Sequence, residues 1–232
     1  MAKASDDSVA SAQTKAAAMA APSTPRDQAI LDAAEALFAQ RGFYGVTIRQ
    51  ITRRAGVDVA LAGYYFGRKE DLIDAVFQRR AETLNSERLA TLEAYLAEAG
   101  DSPTVEGVIE AFVRPLRRFA QSGESGWRHY LALVAQVNNS PEWGAKLMGR
   151  SFDATVRRLI EALKLAMPDA REEDLYWSYH FFSGALVLGF SETGRLDTLS
   201  GGLCRSDDRD ALYDRMPVFI AGGFRRLCEP GD

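Results

Sequence analysis

The sequence predicts an all-α protein: a small N-terminal three-helix unit followed by a larger helical body. Apolar residues recur at helical spacing along most of the chain. No stretch alternates apolar and polar residues as a half-buried strand does. Helix caps and glycine or proline breakers also fall at regular helix-length intervals.

Residues 1–23 are rich in Ala and Ser without a sustained helical period, and are expected to form a disordered tail. Order is expected from Thr24. A hydroxyl, then Pro25, then Asp27 in the first turn make a helix start. Ile30, Ala33, Ala34, Leu37 and Phe38 share one face of that first helix, and Gly42 stops it. Thr47 caps a short second helix with Ile48, Ile51 and Ala55 inward. Gly56 makes the turn, Asp58 caps a third helix over about 59–65, and Gly67 breaks again. A fourth helix opens near Lys69 and runs to about Ala99.

Beyond Pro103 the spacing predicts helices at about 104–121, 126–138, 141–166, 172–191 and 208–227, with a loop from Thr193 to Asp208. The domains are therefore 24–70 and 71–232, after the tail at 1–23.

Composition narrows the function classes. The 232 residues are 47% hydrophobic and 26% charged, enough for a real core and unlike a disordered or fibrous chain. Two cysteines, Cys204 and Cys228, make neither a disulfide framework nor a zinc site and suit a reducing cytoplasm. The charge-free stretch Leu175–Ser191 is only 17 residues long, and a buried helix is expected there rather than a membrane span. No metal or other cofactor is called for. With two histidines, no nucleophile elbow, no HExxH and no phosphate-binding glycine loop, the chain is not expected to be an enzyme. The net charge is −4, yet residues 25–70 carry seven basic against five acidic side chains. A basic front on an acidic body is what a polyanion partner selects.

Residues 47–66 carry the chemistry. Two short helices joined at a glycine and propped by a longer one form a helix-turn-helix, whose second helix can enter a major groove about 12 Å wide. Ile48, Ile51, Ala55, Val57 and Phe66 supply the seam.

The residues from Ala33-Ala34-Glu35-Ala36-Leu37-Phe38 to Arg41-Gly42-Phe43, then Thr47-Ile48-Arg49-Gln50-Ile51, Ala55-Gly56-Val57 and Tyr64-Tyr65-Phe66-Gly67-Arg68-Lys69-Glu70-Asp71-Leu72, resemble the TetR family of bacterial transcriptional regulators. The resemblance covers about residues 26–75. It implies an N-terminal helix-turn-helix DNA-binding domain and a C-terminal ligand-binding and dimerisation domain. The matching lysine in the family, here Lys69, contacts phosphate. Two positions depart from the usual pattern: Ala62 and Gly63 replace a bulky aliphatic and a tyrosine, and Arg68 replaces a small cap.

Residue by residue, the DNA-binding candidates are Thr47, Arg49, Val59, Ala60, Leu61, Gly63, Tyr64, Tyr65, Arg68 and Lys69. Thr47 is expected to offer its amide and hydroxyl to phosphate; Arg49, Tyr64, Tyr65 and Arg68 are further backbone contacts. The reader face itself is nearly apolar, so specificity is expected from thymine methyls, tyrosines and DNA shape.

The candidate effector pocket is Phe112, Leu116, Trp127, His129, Tyr130, Leu133, Val134, Phe152, Val156, Trp177, His180 and Phe181. The resemblance places the dimer interface on the last two long helices, through Phe182, Leu186, Phe190, Met216, Phe219, Ile220 and Gly223. The stretch from His180 through Gly201-Gly202-Leu203-Cys204 to Arg226 also resembles a family branch that responds to fatty-acyl effectors, implying a fatty acid or acyl-CoA. The expected partners are thus a double-stranded DNA operator, a small apolar effector and a second copy of the chain, with no membrane. The alternative is a helical protein–protein adaptor that does not bind DNA.

Overall fold

The structure, a computed structural model, describes residues 24–229; the tail expected at 1–23 lies outside them. Among the described residues every regular element is helical. The helices are α1 (Pro25–Arg41), α2 (Ile48–Ala55), α3 (Val59–Phe66), α4 (Lys69–Ala99), α5 (Val105–Gln121), α6 (Ser125–Asn138), α7 (Gly149–Ala166), α8 (Glu172–Ser191), α9 (Arg195–Leu199) and α10 (Arg209–Cys228). None is long and apolar enough to cross a membrane. Two compact units divide between Val76 and Phe77, inside α4.

In the first unit the caps do what their chemistry requires. Thr24 Oγ1 accepts from the Asp27 amide while Asp27 accepts from the Thr24 amide, closing a reciprocal box at the start of α1. Asp58 Oδ1 accepts from Ala60 N at 2.8 Å to start α3. Gly56 ends α2 with φ +68° and ψ +30°, a left-handed conformation that glycine adopts without a Cβ penalty. The single apolar face expected of α1 is an underestimate. Every residue from Ile30 to Phe38 except Asp32 is buried, because α1 forms the middle of this unit and is covered on nearly all sides. Ile51 from α2, Ala62 from α3 and Leu72, Ile73 and Val76 from the start of α4 complete the core.

In the second unit α5 packs on α10, α7 and α6, and α8 packs on α6, α10 and α7. Thr91 Oγ1 donates to the Ala111 carbonyl at 2.8 Å, and Arg158 grips Glu93 with two bonds of 2.6 and 2.9 Å, tying α4 to α5 and α7. Helix α10 runs unbroken through Pro217. At Gly189 the two helices approach closely: a Cβ there would lie 2.9 Å from Leu212, where α8 passes α10. Gly184, Gly222 and Gly223 face open space.

Two elements were not expected. The segment read as one helix from 141 begins as a π-helical turn, Gly144–Met148, before α7. The loop read from Thr193 to Asp208 contains the five-residue α9.

Candidate nucleic-acid interface and effector cavity

Helix α3 turns Ala62 into its unit, with Leu61, Tyr65 and Phe66 half-buried beside it. Ala62 is fully buried in the seam, so the alanine that departs from the usual pattern sits where α3 approaches its support. The opposite face is open: Val59, Ala60 and Gly63 are exposed and Tyr64 is 79% exposed, with Leu61 and Tyr65 half-buried beside them. Tyr64 and Tyr65 pack edge to face, centroids 5.2 Å apart, which orients both rings at the end of the helix.

The charged groups around α3 divide in two. Arg49, Arg53 and Arg54 on α2 are exposed. Arg68 projects into solvent and pairs loosely with Asp71 at 3.6 Å, while its amide donates to the same carboxylate at 3.3 Å. Lys69 is steadier. Its Nζ lies 4.1 Å from the centroid of the Phe43 ring, a cation–π contact that fixes the ammonium at the start of α4. Burial lowers the Lys69 pKa, and the Glu70 carboxylate partly offsets that.

Thr47 is placed differently from its expected role. Its amide donates to Gln50 Oε1 at 2.8 Å, its hydroxyl donates to the same oxygen at 3.1 Å, and its Oγ1 accepts from the Gln50 amide at 3.3 Å. The amide and hydroxyl meant for phosphate are thus spent on the cap. The amides of Ile48 and Arg49 belong to the first turn, where an α-helix supplies no backbone acceptor.

The second unit holds a cleft of about 1140 Å³ between α6, the π turn, α7 and α8, lined by Asn138, Ser140, Met148, Phe152, Tyr179, His180, Ser183, Val187 and Leu188. A smaller chamber of about 40 Å³ adjoins it and shares Met148, Phe152, Tyr179, Ser183 and Val187. Its other walls are Leu84, Arg88, Phe112, Leu116, Leu131, Val134, Val156, Leu186 and Phe190.

Of the expected pocket residues, Phe112, Leu116, Val134, Phe152 and Val156 therefore line the chamber, and Phe152 and His180 line the cleft. Trp127, Tyr130 and Leu133 are in the core instead. Trp127 is sandwiched between the Phe119 ring, stacked at 3.9 Å, and the Arg80 guanidinium at 4.9 Å, which turns it away from any opening. His129 is half-buried on α6 and lines neither space. Trp177 and Phe181 stand on the outside of α8. Arg88, Tyr179 and Ser183 were missed by sequence reasoning, although Arg88 carried a signal: it interrupts the apolar stripe Phe77, Ala81, Leu84, Leu92 of α4.

The residues expected between subunits also divide. Phe182, Leu186, Met216 and Ile220 are buried in this chain's own core, and Phe190 is half-buried in the chamber wall. Phe219 and Gly223 face outward. The apolar side chains left open on α8 and α10 include Trp177, Phe181 (60% exposed), Leu188, Val218 and Phe219 (77% exposed).

Tyr213 on α10 is buried, and among the described residues its hydroxyl has no hydrogen-bond partner. Burial pushes its phenol up to about 12. The folded state then keeps a proton that the unfolded chain gives up from about pH 10, so stability is full below that pH and falls as pH climbs to about 12. Tyr213→Phe is expected to remove this loss: urea midpoints of the two proteins, measured from pH 9 to 12, should diverge with the variant the more stable. Parallel curves would contradict the burial effect.

A model described as "Bacterial regulatory proteins, tetR family" matches residues 30–76, and one described as "Tetracyclin repressor-like, C-terminal domain" matches residues 110–223. The HTH-type transcriptional regulator BetI of Rhizobium meliloti is 30% identical over 117 residues, 50% of this chain and 54% of that protein. The chain spans about half the length of the curated relatives it matches. A tetR-family protein from a Shewanella species has the same fold with a TM-score of 0.62 at 16% identity, over 85% of this chain and 96% of that one. The fatty acid degradation regulator FadR from Bacillus halodurans is similar in fold, with a TM-score of 0.60 at 19% identity over 88% and 98% of the two chains. Two family models covering more than two thirds of the sequence, on a helix-turn-helix followed by a helical body, establish that this chain belongs to the TetR family.

Proposed function

We propose that the chain is a DNA-binding transcriptional regulator, a repressor that sits as a homodimer on a palindromic operator in the bacterial cytoplasm and is released by a small apolar effector. The open face of α3 carries this reading. An eight-residue helix with Val59, Ala60, Gly63 and Tyr64 outward, flanked by Arg49, Arg68 and the fixed Lys69, suits a major groove. Arg49, Tyr64, Tyr65, Arg68 and Lys69 hold phosphates and sugars. Val59, Ala60, Leu61 and Gly63 meet base edges and thymine methyls. The open apolar surface of α8 and α10 takes a second copy, which sets two readers roughly 34–36 Å apart. The effector enters the cleft of the second unit, and the resemblance of the stretch from His180 to Arg226 to the fatty-acyl branch favours a fatty-acyl molecule. Occupancy alters the spacing of the readers and lowers DNA affinity.

Retention on DNA as a function of salt tests the first half. A regulator binds mixed-sequence DNA at low salt and releases it with a steep slope; a protein–protein adaptor does not bind. Lys69→Ala is expected to weaken binding to all sequences alike and to flatten the slope by about one. A loss confined to one operator would count against the phosphate role. A melting-shift screen tests the second half: with no small molecule changing either stability or DNA affinity, the effector reading fails.

A further inference from the structure

The small chamber is lined by a charge that no carboxylate among the described residues answers. Arg88 stands on α4 four residues from Leu84 and four from Leu92, and is only 6% exposed. Its guanidinium lies 4.2 Å from the centroid of the Phe112 ring. Among the described residues no carboxylate pairs with it, and its Nε is buried with no hydrogen-bond partner. Its polar neighbours are the phenols of Tyr179, Tyr130 and Tyr213. Burial pulls the guanidinium down to about 10, so it keeps its charge at neutral pH.

Burying a cation without a counter-ion disfavours folding, and a ring face compensates only in part. Such a group is explicable when its partner arrives from outside. Arg88 and the Phe112 ring beneath its guanidinium both line the chamber of about 40 Å³, and the cleft of about 1140 Å³ shares the walls Met148, Phe152 and Val187 with it. A space that small accepts a carboxylate. It does not accept a nucleotide, and a methyl terminus there would leave the cation unanswered.

We infer that Arg88 is the head-group anchor for an amphipathic carboxylate, whose acid end pairs with the guanidinium in the chamber and whose apolar tail lies along the cleft. The planar fork of arginine donates two parallel bonds to a carboxylate, which neither an alcohol nor a thioester can accept as an anion. The inference deepens the effector half of the proposed function and rests on it there alone.

The test uses the full chain and two readouts, melting shift and DNA retention. The probes are straight-chain acids from octanoate to palmitate, each beside its primary alcohol and its CoA thioester. The acid is expected to bind at least about tenfold tighter than the alcohol, as a charge-assisted bond implies. Arg88→Met is expected to abolish that preference and to raise the melting temperature of the free protein, since an unpaired buried charge is removed. A merely structural arginine would lower it. Should the methionine variant not fold, Arg88→Lys must still favour acid over alcohol, by less than wild type. Equal binding of acid and alcohol, preference for the thioester, or discrimination that survives Arg88→Met overturns the inference. DNA retention without any acid binding overturns it while leaving the DNA-binding reading intact. Acid binding without DNA retention supports it and removes the operator reading instead.

Discussion

A chain carrying Phe181→Glu and Phe219→Glu is expected to sediment as a monomer and to lose a hundredfold or more of its operator affinity. Both side chains are mostly exposed, on α8 and α10, so charging them leaves the chain's own core untouched. An apolar patch with Trp177, Leu188 and Val218 around them is what a soluble helical surface covers with a partner. Glutamates brought together across a two-fold axis repel, and each loses its hydration. Once the copies separate, the second reader no longer binds at high effective concentration, and avidity of about 10²–10⁴-fold disappears. Half the phosphate contacts go with it, so the salt slope should fall to about half. Analytical ultracentrifugation with a salt series of DNA binding checks both. A double variant that stays dimeric would move the interface elsewhere.

Phe38→Ala is expected to unfold the reader unit at temperatures where wild type is intact. Phe38 is completely buried on α1, with the Phe43 ring 5.8 Å away, and Phe43 is the ring over which Lys69 sits. Deleting a buried phenyl costs about 3–5 kcal/mol in lost transfer energy and cavity. A unit of some fifty residues has little more than that to lose. Urea denaturation followed by far-ultraviolet circular dichroism should show an early phase absent from wild type, with DNA retention lost in that phase. A loss under about 1 kcal/mol would mean the site collapses around the gap.

How much of this could be read in advance depended on which physical signal each feature leaves in a sequence. Helix starts were legible because Thr24, Thr47 and Asp58 all accept an amide proton from the first turn as their side-chain chemistry demands. The breaks at Gly42, Gly56 and Gly67 were legible because each takes a positive φ. The direction a helix faces was less legible where it is apolar all round. Nothing along α8 distinguishes Phe182, which is buried, from Phe181, which is not. The positions of α6, α7 and α10 beside it, and the Phe112 ring against Phe182, settle the matter. Thr47 shows the converse case, in which one residue can serve either of two partners and Gln50 takes it. Arg88 lay in plain view as a charge on an apolar stripe; its meaning needed the chamber and the absence of a carboxylate partner among the described residues.

Gly63 has a consequence of another kind. It lies inside α3, exposed, and a Cβ built there meets no atom within 4 Å. A glycine in mid-helix costs about 1 kcal/mol relative to alanine. Most side chains placed there would therefore gain helix stability and lose no packing. On the proposed reading of α3 as the groove-entering helix, a one-codon change at Gly63 alters operator choice with no stability penalty to work around.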